Sequence, residues 1–178
     1  MNRNILVVNG HPDPRPERFC AALCDAYEAG AKMRGCATRR LNVGALHLAQ
    51  LAAAKNAAPL DKLEQAFRLM CAADRLAIVY PLLSDGPPKE LSQLFDYVAR
   101  LHAHLEPAAL AGTKSARIVV TTAMPAFLYR GRAEPVTRHK LCGVAADEPL
   151  FIGSVDTISS TQRTRWLEQL RGLGAKMN

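Results

Sequence analysis

Ile5-Leu6-Val7-Val8-Asn9-Gly10-His11-Pro12 is the stretch from which the rest of the chain can be read. An apolar run of strand length stops at a Gly-His-Pro turn. A helical pattern then starts near Glu17, with Phe19, Leu23, Tyr27 and Ala31 recurring every four residues. Strand, tight loop and helix make the opening half of a βαβ unit, and its loop lies where open α/β sheets receive anionic ligands. Similar punctuation follows two later strand-like runs, which predicts one site built from three loops.

The alternation continues along the chain. Strands are predicted over Asn4–Asn9, Ala37–Asn42, Arg75–Tyr80, Ala116–Thr122 and Leu150–Val155. The run Arg75–Tyr80 is almost wholly apolar, as a strand buried on both faces requires. Helices are predicted over Glu17–Arg34, closed by Gly35, and over Leu60–Ala72, with Leu63, Phe67 and Met70 on one face. A third opens near Pro88 and turns Leu91, Leu94, Phe95, Val98 and Leu101 inward. The last begins at a capping box, Ser159 with Gln162, and buries Trp166, Leu170 and Leu173. A short basic helix is expected over Glu134–Leu141. Right-handed crossovers then give an α/β fold of one domain over residues 1–178, a three-layer α/β/α sandwich around a five-stranded parallel sheet of order 2-1-3-4-5. No Gly-x-Gly-x-x-Gly follows the first strand, which argues against the six-stranded dinucleotide-binding arrangement. The Ala/Leu-rich stretch Val43–Pro59 is long for a connection; it can hold a short helix around Ala45–Lys55 and is a candidate functional or interface segment.

The chain has 178 residues, of which 49% are apolar, so it can bury a substantial core and is not disordered. No apolar run approaches the roughly 18 residues of a membrane span. The N-terminal run is too short for a signal peptide and no cleavage pattern follows it, which points to the cytoplasm. Five cysteines, Cys20, Cys24, Cys36, Cys71 and Cys142, form no disulfide framework. Cys20 and Cys24 share a helix face and read as small residues filling a helix–sheet interface rather than as metal ligands. His102 and His104, close before Glu106, are likewise too few and too close together for a metal site.

The formal net charge of +7 raises the expectation of an anionic partner. Aromatic residues are few and no recognition motif is present, which disfavours nucleic acid. Arg15, Arg18, Arg130 and Arg132 fall in predicted loops, where they suit a phosphate-bearing cofactor or simple solvation equally. The run Arg130–Lys140 reads as a seat for an NADPH 2′-phosphate, a face for an acidic partner, or a solvated loop.

The three loops are Gly10–Pro16, Pro81–Pro88 and Ala123–Arg132. A phosphate would sit at the start of the first helix, with His11 and Arg18 adding charge-assisted contacts. His11 reads equally well as a turn residue bonded to its own backbone. Tyr80-Pro81-Leu82-Leu83 runs an apolar strand straight into a loop whose backbone N–H groups can meet the edge of a flat ring. Thr121-Thr122-Ala123-Met124-Pro125 would close the other side, with Phe127 or Tyr129 covering a face.

On these residues the chain resembles the flavodoxin-like NAD(P)H:quinone oxidoreductases, including the ancillary subunits of bacterial potassium-efflux systems. The resemblance rests on Ile5–Pro12, on Phe19 and Ala22-Leu23, and on Ala73-Asp74, Tyr80-Pro81-Leu82, Gly86-Pro87-Pro88 and Phe95-Asp96. It continues through Leu110-Ala111-Gly112-Thr113-Lys114, Val120-Thr121-Thr122, Tyr129-Arg130 and Trp166-Leu167-Glu168. The resemblance implies an FMN or FAD cofactor and a homodimer with active sites at the subunit interface. It also implies ping-pong two-electron hydride transfer, in which NAD(P)H reduces the flavin and a quinone-like acceptor then replaces it. His11, Arg18 and Phe19 would hold the phosphate and ribityl region. Pro81, Leu82, Leu83 and Ser84 would run along the ring, Thr121 and Thr122 would close the site, and Tyr129 would assist hydride transfer.

The chain departs from the family pattern in four places. Arg18 replaces a serine before Phe19. Leu83 and Ser84, followed by Asp85, replace aromatics after Tyr80-Pro81-Leu82. Ala123 and Met124 stand where glycines are usual, and Val43–Pro59 replaces an acidic segment. These departures leave a second expectation open: a flavin-free flavodoxin-like regulatory or docking module.

Overall fold

The computed structural model describes residues 3–48, 58–84, 86–104, 115–129 and 144–176. In chain order these form β1 (Asn4–Asn9), α1 (Phe19–Met33), β2 (Ala37–Asn42), a 3-10 turn (Val43–Leu46), α2 (Ala58–Cys71) and β3 (Arg75–Leu82). Next come α3 (Lys89–His104), β4 (Ser115–Thr122), a second 3-10 turn (Ala126–Leu128), β5 (Leu150–Ile152) and α4 (Ser160–Ala175). The strands make one parallel sheet of order β2-β1-β3-β4-β5, the order expected from the sequence.

Continuous apolar strands arise here because both faces of the sheet are covered. Along β1, Leu6 and Val8 join Ile78, Ile118, Phe67 and Leu94 beneath α2 and α3. Ile5 and Val7, with the opposite phase, join Val79, Val119, Leu23 and Leu170 beneath α1 and α4. The edge strand β2 is polar on its solvent side, where Arg40 pairs with Asp25 and Glu28 of α1 at 2.8 and 2.5 Å. Cys20 and Cys24 are buried in the α1–sheet interface, as small fillers should be.

Element ends differ from expectation for local reasons. Helix α1 starts at Phe19 rather than Glu17, because Arg18 is extended (φ −70°, ψ 138°) and serves as N-cap. Strand β3 runs on to Leu82, since its pairing with β4 persists through Pro81↔Thr121 and Leu82↔Thr122. Strand β5 stops at Ile152 rather than Val155, because Ser154 turns into the left-handed region (φ 54°) and ends the extended run. The capping box holds: Ser159 Oγ accepts from the Gln162 N–H at 3.2 Å while Gln162 Oε1 accepts from the Ser159 N–H at 2.9 Å. Trp166 and Leu173 are only partly buried, so Leu170 is the anchor of that face.

Of the Val43–Pro59 stretch, Val43, Leu46 and Leu48 are buried in the core. A Cβ on Gly44 would lie 2.1 Å from the Pro12 carbonyl oxygen, so this turn backs directly onto the loop after β1. Residues 49–57 of the stretch, with most of the short helix expected around Ala45–Lys55, the expected basic helix Glu134–Leu141 and the arginines 130 and 132 lie outside the described residues.

Candidate functional site

The loop after β1 is held by its own side chains. Asn9 is buried; its Oδ1 accepts from the His11 N–H at 3.2 Å and its Nδ2 donates to Asn42 Oδ1 at 3.2 Å. His11 Nδ1 in turn accepts from the Asp13 N–H at 2.9 Å. That bond requires an unprotonated Nδ1, so the neutral imidazole carries its proton on Nε2. The turn reading of His11 is thus seen directly, and the residue also lines the cavity described below.

Burial holds the His11 pKa below its ordinary 6.5, and the Arg18 charge adds to this against the opposing influence of Asp13. The unfolded chain thus takes up this proton more readily, and His11's contribution to stability is lost as pH falls from 6.5 through the folded pKa. Nitrogen-15 NMR of labelled protein should find His11 titrating below 6.5 and as the Nε2–H tautomer at neutral pH. A titration above 6.5 would mean that burial does not dominate its environment.

Arg18 ends the loop. Its carbonyl accepts from the N–H groups of Ala21 at 2.9 Å and Ala22 at 3.2 Å, and no side chain caps the helix. The first N–H groups of α1 are therefore free of a side-chain cap at the cavity. The Arg18 guanidinium reaches Asp13 Oδ2 through Nε at 2.7 Å, and Arg15 bonds the same oxygen through Nη2 at 2.7 Å. These two guanidinium groups hold the Asp13 carboxyl far below the usual carboxylate range.

After β3, the Leu83 N–H donates to the Gly86 carbonyl at 2.8 Å and the Gly86 N–H returns to Leu83 at 3.2 Å, closing a tight turn. Gly86 has φ 121°, a conformation that side chains rarely adopt. The turn engages the Leu83 N–H, one of the groups expected to meet a ring edge, and carries Ser84 out to an exposed tip. After β4, Thr121 is buried with Oγ1 3.4 Å from Cys20 Sγ, and Thr122 Oγ1 donates to the Met124 carbonyl. These threonines form a floor with their hydroxyls already engaged. Burial pushes the Cys20 thiol up to about 11, so it is no nucleophile near neutrality.

These loops enclose a cavity of about 290 Å³. His11, Arg18 and Phe19 line one part of it, Pro81, Leu82 and Leu83 a second, and Thr121 and Thr122 a third. Ser84 and Tyr129 are not among its lining residues; Tyr129 is the C-cap of the second 3-10 turn. Sequence reasoning missed a fourth loop, the one after β5, which contributes Val155 and Asp156, and the first turn of α4 behind it, which contributes Arg163. This loop hangs on the one after β4: the Val155 N–H donates to Thr122 O and the Ser154 N–H to Met124 O, each at 3.1 Å. Arg163 lies 4.8 Å from the Phe19 ring centroid, over its face, and so ties α4 to the start of α1. The signal was present: in a parallel sheet the carboxyl end of β5 faces the same edge as the others, and Arg163 sits in the first turn after the Ser159 cap. Glu17, also missed, adds a carboxylate to the rim.

The exposed large apolar residues among those described include Leu83, Met124, Phe127 and Leu128, all on the loops after β3 and β4. Phe127 thus faces solvent rather than closing the cavity. Among the described residues no helix is long and apolar enough to cross a membrane.

The fold and site place the chain among known structures. It superposes on an NAD(P)H:quinone oxidoreductase from Methanothermobacter marburgensis with TM-score 0.75 at 15% identity, covering 100% of this chain and 98% of that one. It is similar to an azoreductase from Bacillus anthracis (TM-score 0.64, 15% identity, 99% and 100% covered). It is also similar to an NADPH-quinone reductase from P. pentosaceus (TM-score 0.61, 17% identity, 100% of both). At these identities the likeness is one of fold. No curated protein sequence matches the chain significantly. The sequence model of a family described as flavodoxin-like fold matches residues 3–166, and the chain accordingly belongs to that flavodoxin-like family, as its motifs led us to expect.

Proposed function

We propose that the cavity is the flavin site of an NAD(P)H:quinone-type oxidoreductase. The observation that carries this reading is the convergence, at the carboxyl edge of the sheet, of a cationic and N–H-rich end with an apolar wall. His11 and Arg18 at the start of α1 supply the first, Pro81, Leu82 and Leu83 the second. The donor set suits a phosphate-bearing flavin: a protonated Nε2, a guanidinium and uncapped helix N–H groups face an anion, while leucines line the space beyond.

FMN, or FAD, would supply two-electron hydride transfer between a nicotinamide and a quinone-like acceptor in a ping-pong cycle. The chain's own part is to bind and orient. His11 and Arg18 hold the phosphate end, Phe19 and Arg163 brace the loop around it, and Pro81-Leu82-Leu83 exclude water from one side. Thr121 and Thr122 set the depth of the floor. Tyr129, outside the cavity lining, retains a part only if it swings in or acts from a partner subunit. The exposed Leu83, Met124, Phe127 and Leu128 support a homodimer in which a second copy covers this rim. The setting we propose is cytoplasmic.

A second reading is a flavin-free docking module, favoured by two observations: Asp13 already occupies Arg18, and the turn at Gly86 engages the Leu83 N–H. Visible absorption after incubation with FMN or FAD and gel filtration separates the two. A retained flavin spectrum that NAD(P)H bleaches and a quinone restores is the expected result. Colourless protein with either flavin would transfer the case to the docking module.

A further inference from the structure

We infer that the Asp13 carboxylate is a built-in competitor at the phosphate end of the cavity, which an incoming phosphate must displace from Arg18. Resting on the flavin-site reading, the inference adds a residue that sets which anions the site accepts. Asp13 Oδ2 takes Nε of Arg18 at 2.7 Å and Nη2 at 2.5 Å, and also Nε and Nη2 of Arg15 at 2.9 and 2.7 Å. One carboxylate oxygen thus gathers both guanidinium groups of the loop. Carboxylates and phosphates are recognised by the same guanidinium fork, so the two compete for Arg18.

Arg15 makes the exchange feasible, because it keeps Asp13 partnered when Arg18 leaves. The exchange favours charge: a monoanion replaces one minus charge by another and gains little, whereas a phosphomonoester dianion gains an extra charge next to Arg18, His11 and the start of α1. The site is therefore tuned to phosphomonoester dianions. Asp13 also fixes the His11 tautomer, but through its backbone N–H, which side-chain substitution preserves.

The test is Asp13→Asn, which keeps an oxygen to accept from the Arg15 N–H. Glu168→Gln, on the exposed side of α4, removes the same charge away from the cavity. Thermal unfolding is followed in increasing inorganic phosphate. Asp13→Asn should reach a given stabilisation at roughly 10-fold lower phosphate than the parent, and Glu168→Gln at the parental concentration. Adding Arg18→Gln to Asp13→Asn should abolish the gain. FMN should tighten by a similar factor, with riboflavin, which lacks the phosphate, unchanged. Equal or weaker phosphate binding by Asp13→Asn, or the same gain in Glu168→Gln, overturns the inference whatever the flavins do. A phosphate gain in protein that binds neither FMN nor riboflavin would uphold the competitor and remove the flavin reading instead.

Discussion

Replacing Gly30 by alanine should cost about 3 kcal/mol of stability and lower the melting temperature by roughly 6–12 °C. Helices α1 and α4 touch backbone to backbone at two reciprocal glycines. A Cβ on Gly30 would lie 1.9 Å from the Arg171 carbonyl oxygen, and one on Gly174 would lie 2.1 Å from the Tyr27 carbonyl oxygen. Neither obstacle is a side chain that can swing aside, so the helices must separate. Separation opens the packed layer of Leu23, Tyr27 and Leu170 over the sheet, where gaps forfeit contacts directly. Against this, alanine gains only about 0.5–1 kcal/mol over glycine in a helix interior. The contrast lies two residues before Gly174. A Cβ on Gly172 meets nothing within 4 Å, so Gly172→Ala should stabilise by that same fraction. Urea unfolding of the three proteins checks both signs together. An unchanged Gly30→Ala would mean that the helices do not meet at this distance.

Arg18→Glu should weaken FMN binding by about 100-fold while leaving riboflavin binding unchanged. The change removes a charge-assisted donor and sets a carboxylate where the phosphate would lie. The unliganded fold should barely respond. The Arg18–Asp13 pair lies at the surface, where ion pairs add little to stability, and a carboxylate at the N-cap of α1 is favoured by the helix dipole. Fluorescence titration with both flavins, beside thermal melts without ligand, separates binding from folding. Undiminished FMN affinity would remove Arg18 from the site.

The fold was legible because each strand run is bounded and the central ones, β1 and β3, are apolar on both faces. Ile5–Val8 and Leu76–Tyr80 contribute alternate residues to the two helical layers, which only a sheet covered on both sides explains. The caps were legible because they are local chemistry: Ser159 with Gln162 bonds within one turn of chain. Most of the cavity wall was legible for a third reason. The parallel topology places the carboxyl ends of β1, β3 and β4 at one edge, so His11, Leu82 and Thr121 meet there whatever the packing details.

Other features depend on distances that no local pattern encodes. Gly30 and Gly172 look alike in sequence, yet one is pinned against a carbonyl and the other faces open space. Arg18 reads as a free cation until Asp13, five residues earlier, is seen to hold it. Ser84 reads from the sequence as a ring-edge residue, but the bonds between Leu83 and Gly86 fold the loop back and leave Ser84 at an exposed tip. Arg163 and Asp156 joined the cavity only once the loop after β5 was hung on the one after β4. By itself, the sequence determined the order of strands and helices and the edge where a ligand would sit, because hydrophobic period and chain direction are carried residue by residue. Tertiary structure alone decided which side chains remain available at that edge, because availability depends on partners that the chain brings together only when it closes.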